Sequence, residues 1–392
     1  MGGTQFRQTL PCAACPHPEV EPVTIDEELW RLVRDARWFG GRGRGGRLSE
    51  VASFPQGKVT SLLAHVEYAD NTTEIYHVPV LTDSLPGIRE AVDHPLALWP
   101  LAAPSLPPPK SGRRFAGEQS NTSLFYDNST LMKVLRRVEP GRGIEAELLE
   151  ALRGSGAAPE LLGVWEHGGF ALGLLVEALP RAVDGYDVCV AAARSGECFQ
   201  TSAADLGHQL AKVHSLLAER LPTAEQSGEA LRRVFTQRFE SAVAELPQLA
   251  QFVEAAASVF ANLPEQVVTQ RVHGDCHLGQ VLQSDGRWCY VDFEGEPMKT
   301  LAERRQPDSS LRDIAGMLRS FHYAACAGQA PKGWLADAES AFLDGYGATA
   351  DGLLSAYIID KACYEAVYEA RFRPHMLRVP LSALGSLLGI SG

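Results

Sequence analysis

A chain of 392 residues, 45% hydrophobic and 21% charged, is long enough for two or three domains with real cores. Its 48 acidic against 36 basic residues leave a net charge of −12, which argues against a nucleic-acid or anionic-membrane surface, since both need basic patches. No apolar run reaches the length of a membrane span, no leader-like segment opens the chain, and the eight cysteines lack the dense spacing of a secreted scaffold, so a protein of the reducing cytoplasm is expected.

Residues 1 to 24 are rich in proline and small side chains, which predicts little order. Cys12 and Cys15 form a lone CxxC with no second pair to complete a zinc site. From Ile25 the spacing of Leu29, Leu32, Val33 and Ala36 predicts a helix capped by Thr24 or Asp26. The following GGRGRGG run matches GxGxxG at Gly41, Gly43 and Gly46. A dinucleotide fingerprint needs a strand before it and a helix after it, and here the order is reversed. From Gly57 to Leu81 alternation around Asp70-Asn71 predicts a hairpin. Residues 1 to 92 therefore read as a small α+β cap module.

Between Asp93 and Arg114 six prolines favour an extended, semi-rigid linker. Strands are expected around the polar loop Gly117 to Ser123, whose Ser120, Asn121, Thr122 and Ser123 could cradle phosphates with hydroxyls and backbone amides. Lys133 lies inside the apolar run Thr130 to Leu135, where an ammonium is costly without anionic partners. In the helix that follows, Glu147 is the expected partner and Glu145 the alternative. The strand from Phe170 leads into Leu175 to Leu179, where backbone groups of Val176, Glu177 and Leu179 could meet an adenine edge. Residues 93 to 179 thus form an expected ATP-binding lobe, and residues 180 to 392 a mostly helical lobe.

The stretch VHGDCHLGQVLQSDGRWCYVDFEGEP, Val272 to Pro297, reads as a loop followed by a hairpin that turns at Ser284-Asp285-Gly286. It would fold Asp292 back beside Gln280 and Asp275. Such a set suits phosphoryl transfer, in which the protein mainly positions groups and neutralises charge. Asp275 would meet the attacking hydroxyl, while Gln280 and Asp292 would hold Mg²⁺ against ATP; the spacing of base, amide and second carboxylate follows the kinase order. His273, His277 and Glu294 flank the set and are candidate substrate contacts. His208 and His214 read as packing histidines, and Arg312-Asp313 as a brace for the catalytic loop. On the last long helix, Ala350 to Arg373, the spacing of Asp360, Tyr364, Tyr368 and Arg371, with Lys361, Glu365 and Glu369 alongside, offers a polar, aromatic face that suits a sugar.

The stretch RVHGDCHLGQVL, the DFEGEP run, LAERRQPDSSLRDIAGMLRSFHYAA, Arg37-Trp38-Phe39 and Asp360-Lys361-Ala362 together resemble the maltokinase-type sugar kinases of actinobacteria, which are similar to aminoglycoside phosphotransferases. The resemblance implies an α+β, bilobal protein-kinase-like fold with an extra N-terminal cap, ATP and Mg²⁺ as cofactors, Asp275 as base, Gln280 and Asp292 as metal ligands, and Lys133 with Glu147 on the phosphates. It departs from the maltokinase pattern at Met376, where an aromatic ring is expected, and in its shorter length. A carboxylate-lined site would attract an ammonium sugar, and one branch of the group phosphorylates glucosamine. Glucosamine 6-phosphate is therefore the expected product, with maltose 1-phosphate, an aminoglycoside acceptor, or a catalytically silent binding protein as alternatives.

Overall fold

The computed structural model describes residues 24–85, 87–116, 121–296 and 299–390; Cys12, Cys15 and Ser120 lie outside them. Helix α1 (Ile25–Asp35) starts at a capping box in which the Thr24 hydroxyl accepts from Glu27 N and the Glu27 carboxylate from Thr24 N. Its Leu29 and Val33 are fully buried on an antiparallel meander of β1 (Arg47–Gln56), β2 (Val59–Glu67) and β3 (Thr73–Leu81). The expected hairpin is the β2–β3 pair, in register from Val59↔Leu81 to Glu67↔Thr73. The glycine-rich run connects helix to strand, and a Cβ at Gly41 would sit 2.1 Å from the Tyr68 hydroxyl. That glycine serves close packing.

The proline-rich segment is not an extended linker. Helix α2 (Trp99–Ala102) and a 3₁₀ turn at Pro95–Ala97 carry prolines in their first turns, where a missing N–H costs nothing. Leu98, Trp99 and Ala102 are buried in the core beneath the next sheet. Apolar side chains between the prolines decided this packing. The sheet comprises β4 (Gly112–Arg114), β5 (Thr122–Tyr126) and β6 (Thr130–Val134), then, across β7 (Arg137–Val138) and helix α3 (Ile144–Ala151), β8 (Leu161–His167) and β9 (Phe170–Glu177). Its order is β4-β5-β6-β9-β8, while β7 leaves it and pairs with β3.

The cap sheet is thus completed by β7, which begins four residues beyond Lys133. Arg136 at this crossing is fully buried; it pairs with Glu90 at 2.7 Å, donates to Thr122 Oγ1 and the His77 carbonyl, and lies over the Trp38 ring.

The second lobe runs through β10 (Val183–Asp184), α4 (Gly185–Ser195), α5 (Gln200–Arg220), β11 (Ala224–Ser227), α6 (Gly228–Glu245), α7 (Val253–Ala261), β12 (Gln266–Thr269), β13 (Val281–Ser284) and β14 (Arg287–Tyr290). It ends with α8 (Leu301–Arg304), α9 (Leu311–Gly328), α10 (Trp334–Tyr346), α11 (Gly352–Phe372) and α12 (Arg378–Leu388). Strands β13 and β14 form the expected hairpin, its turn made by Asp285 and Gly286 at φ +50° and +78°. Leu206, Leu210, Phe321, Phe342 and Ile359 are fully buried among α5, α9, α10 and α11. Gly207 and Gly345 let α5 and α10 touch, since a Cβ on either would lie 2.2 Å from the other helix's carbonyl. The result is the two-lobed α+β architecture expected from sequence. Among the described residues no helix is long and apolar enough to cross a membrane.

Candidate active site

The loop before β13 is held from behind. The buried Asp313 carboxylate at the start of α9 accepts from His273 N at 2.7 Å, Gly274 N at 3.0 Å and His214 Nε2 at 3.0 Å. Gly274 adopts φ +83°, a conformation that favours glycine. Ser320 receives Leu278 N at 3.0 Å, and a Cβ on Gly316 would lie 2.2 Å from the Cys276 carbonyl. Asp313 is the loop brace expected from sequence. His273 is not a substrate contact: it is 1% exposed, and its Nε2 donates to the Val291 carbonyl at 2.9 Å. Its ring is a strut between loop and hairpin. Asp275, held forward by this frame, faces Lys361 Nζ at 3.9 Å and His277 Nε2 at 4.0 Å.

The hairpin returns Asp292 to Gln280, whose Nε2 donates to Asp292 Oδ2 at 3.2 Å. Asp292 has φ +65°, uncommon for a non-glycine residue and typical of strained functional positions. Its Oδ1 accepts from Lys133 Nζ at 2.9 Å, and the same ammonium donates to both Glu145 oxygens at 2.7 and 2.9 Å. Burial pulls the Lys133 pKa down, but Glu145 and Asp292 outweigh it and hold the ammonium above the ordinary lysine range. Burial likewise pushes Asp292 up, and Lys133 more than offsets it, so the carboxylate stays below its usual value.

The lysine's partner is therefore Glu145 and not Glu147. Two residues along a helix turn the side chain roughly 200° around the axis, and Glu147 points instead to Arg271 Nη1 at 2.9 Å and Arg305 Nη1 at 2.8 Å. Glu294 is also displaced from the expected sugar site. It accepts from Asn121 Nδ2 at 2.7 Å and joins Glu145 and Asp292, whose oxygens lie within 4.8 Å of one another. Burial, with Asp292 alongside, pushes its carboxyl up to about 7. Carboxylates with the Gln280 amide form a hard oxygen-donor set of the kind that suits Mg²⁺.

On the facing lobe, Asn121 bridges Glu294 and Arg136 N, the latter at 3.2 Å. Thr122 is buried and accepts from Arg136 Nε at 2.7 Å, so its hydroxyl already serves the fold; Ser123 lies opposite Lys133 in the β5–β6 pair. Val176 is enclosed between β6 and β8. The N–H groups of Glu177 and Ala178 are taken by the Glu160 and Ser129 carbonyls at 2.9 Å, and the Glu177 carboxylate by Arg287 at 3.0 Å. Among the described residues the Leu179 N–H donates to nothing, which leaves it the backbone group of this set able to meet a base edge.

A cavity of about 420 Å³ opens beside the loop, lined by Asp184, Tyr186, Asp187, His277, Gly279, Gly316, Ser320, Tyr323, Lys361, Tyr364, Glu365, Tyr368, Glu369 and Arg373. It brings together His277, Tyr364, Glu365 and Tyr368 of the expected sugar contacts. Asp360 is turned away, accepting from Arg238 Nη1 at 2.8 Å, and Arg371 pairs with Glu245. The face offered to the cavity keeps Lys361, Tyr364, Glu365, Tyr368 and Glu369 of the expected one and leaves out Asp360 and Arg371.

Sequence reasoning named none of Asp184, Tyr186, Asp187, Tyr323 and Arg373 as a site residue; they come from β10, α4, α9 and the end of α11, which only the fold brings together. Glu369 is 1% exposed; its Oε1 accepts from Tyr323 Oη at 3.0 Å and Arg373 Nη2 at 2.6 Å, while Oε2 has no partner among the described residues. Glu296, between cavity and loop, is held down at about 2: burial works against it, and Arg312, Lys299 and Lys361 prevail.

Residues 111–295 match the phosphotransferase enzyme family. A glucosamine kinase of Streptacidiphilus jiangxiensis is 27% identical over a 383-residue alignment that covers 79% of this chain and 85% of its own. A solved structure described as glucosamine kinase, crystal form B, superposes with a TM-score of 0.71 at 25% identity over 92% of this chain and 99% of that one. A second, of glucosamine kinase with glucosamine, ADP and inorganic phosphate, gives 0.65 at 24% identity over 91% and 98%. The chain shares their fold over more than nine-tenths of its length.

Proposed function

We propose that this chain, a phosphotransferase whose family domain spans residues 111–295, is an ATP- and Mg²⁺-dependent sugar kinase that converts glucosamine to glucosamine 6-phosphate. The carrying observation is that the single loop and hairpin bearing Asp275 serves two differently equipped chambers. On one side are Gln280, Asp292, Lys133 and Glu145, a set of oxygens with one ammonium. On the other is the cavity reached through Lys361 and His277. A hydroxyl held in the cavity would give its proton to Asp275 as its oxygen attacks the terminal phosphorus of ATP, and ADP would leave; a positioned base contributes about 10²–10⁴-fold. Lys133 would lie on the phosphates, and Leu179 N–H on the base. Mg²⁺ held by Gln280 and Asp292, with Glu294 at hand, would supply charge neutralisation between the phosphates.

The amino sugar is favoured over maltose by the charge of the cavity. Asp184, Asp187, Glu365 and Glu369 face Lys361 and Arg373 there, and the partnerless Glu369 Oε2 calls for a donor. An unpaired buried carboxylate oxygen costs stability that an ammonium or hydroxyl would restore. The relatives that carry the name glucosamine kinase support the same reading.

The test is ADP release with ATP and Mg²⁺ against glucosamine, maltose, glucose and kanamycin, with ³¹P NMR of the product. Glucosamine should be turned over best and carry phosphate on its 6-hydroxyl. Faster turnover of maltose, or phosphate on another carbon, would overturn the assignment, and silence with every acceptor would leave a binding protein.

A further inference from the structure

Helix α11 leaves the cavity as a row of solvent-facing aromatic rings. Tyr364 is 57% exposed, Tyr368 41% and Phe372 66%, at i, i+4 and i+8, one above the next on a single face. Scattered exposed aromatics need no explanation, whereas a contiguous row beside a cavity marks an interaction site. Tyr364 and Tyr368 line the cavity and Phe372 does not. Its ring centroid lies 4.9 Å from that of Tyr368, inclined at 46°, so the row continues from the cavity wall onto the surface beside it. Lys361 sits 5.7 Å from the Tyr364 ring and Arg373 5.4 Å from the Tyr368 ring. These cations lie against the two inner rings, and among the described residues none lies over Phe372, which stays outside the core clusters.

We infer that the Tyr368–Phe372 end of the row is a second saccharide subsite, and that beside free glucosamine the site takes a disaccharide whose first ring enters the cavity and whose second lies on Phe372. A pyranose offers an apolar face of C–H groups to an aromatic ring, together with hydroxyls for solvent, and this combination fits a ring that is two-thirds exposed yet continuous with a polar cavity. The cavity of about 420 Å³ takes the first ring, and Phe372 stands outside its lining. Its carboxylate-rich lining makes the first ring an amino sugar, in which respect the inference rests on the reading above; the fitting class is a β-linked disaccharide of glucosamine. A second copy of this chain is the competing occupant.

The probes are glucosamine and β-1,4-linked diglucosamine, titrated calorimetrically into the full chain and into Phe372→Ala, with sedimentation run on both proteins. The disaccharide should bind at least tenfold more tightly than the monosaccharide, and Phe372→Ala should erase that ratio. Equal affinities in the unaltered protein, a ratio that survives in Phe372→Ala, or no binding of either sugar would overturn the subsite. So would a concentration-dependent dimer that Phe372→Ala dissolves. Thermal melting of the variant within a degree or two of the parent shows that the change is confined to the surface. Failure of the kinase reading shows separately, as absent ADP release with intact binding.

Discussion

Asp275 owes its position to atoms behind it and its surroundings to Lys361 and His277 in front. Asp275→Asn keeps the volume and removes the proton acceptor, so turnover should fall by about 10²–10⁴-fold, with ADP affinity within twofold of the parent; rapid-quench assays and calorimetry check both. Loss of nucleotide affinity in step with turnover would assign Asp275 to binding. At this scale the sequence was legible where chemistry is local. Asp275, Gln280 and Asp292 lie on one loop and hairpin, and the hairpin turn brings Gln280 and Asp292 within hydrogen-bonding reach. Lys133 stood out because an ammonium in an apolar strand needs anions. Helix phase was not legible. Glu145 against Glu147, and Lys361 against Asp360, differ by one or two steps of about 100°, and which step faces the site depends on how the whole helix docks.

At the scale of elements, contacts between segments set the geometry of the site. Helix α9 reaches the loop because Gly316 has no side chain to meet the Cys276 carbonyl. Gly316→Ala should therefore shift the loop, cost about 1–3 kcal/mol of stability from overpacking, and lower kcat at least tenfold in protein that is still folded by circular dichroism; unchanged kcat would show that the loop yields freely. On the opposite lobe, His77 joins β3 to the β6–β7 crossing through the Leu135 carbonyl at 3.0 Å and to β2 through Ser61 Oγ at 3.2 Å. Burial, reinforced by Arg136, drops its pKa from 6.5 to about 3.

The unfolded chain thus binds the proton first, so the contribution of His77 is complete above pH 6.5 and is lost as pH falls toward 3. His77→Asn should flatten that part of the stability-against-pH curve, measured by urea melts between pH 4 and 7; a parallel curve would locate the acid sensitivity elsewhere. The strong periodicities of α5, α6, α9 and α11 and the alternation of β2 and β3 made these elements readable. The proline-rich segment misled because proline content predicts extension while Leu98 and Trp99 were seeking a core. Helices α10 and α12 and the short pairs β10 and β11–β12 draw their order from tertiary packing and offered little local signal.

For the whole molecule, the two lobes share a continuous core and several polar ties, and Glu147 makes two of those ties. A single carboxylate oxygen holds Arg271, four residues before Asp275, and Arg305, beyond the DFE turn. Glu147→Ala should free α3 relative to the second lobe, raise the KM for ATP and lower kcat, about tenfold in their ratio, or roughly 1.4 kcal/mol. The sugar KM should hold, and Glu147→Gln should recover part of the loss. An equal change in both KM values would mark a general loss of structure.

The closure of the cap sheet by β7 has a practical consequence. Removing residues 1 to 92 would take away β3, which pairs with Ile75↔Val138 and Tyr76↔Arg137, and also the Glu90 carboxylate and Trp38 ring that neutralise and cover Arg136. A raw strand edge and a naked guanidinium would then adjoin the strand of Lys133. A chain so shortened should precipitate on expression or emerge unable to retain nucleotide on a filter, and a soluble, nucleotide-competent remnant would mean that the N-terminal module is an ornament.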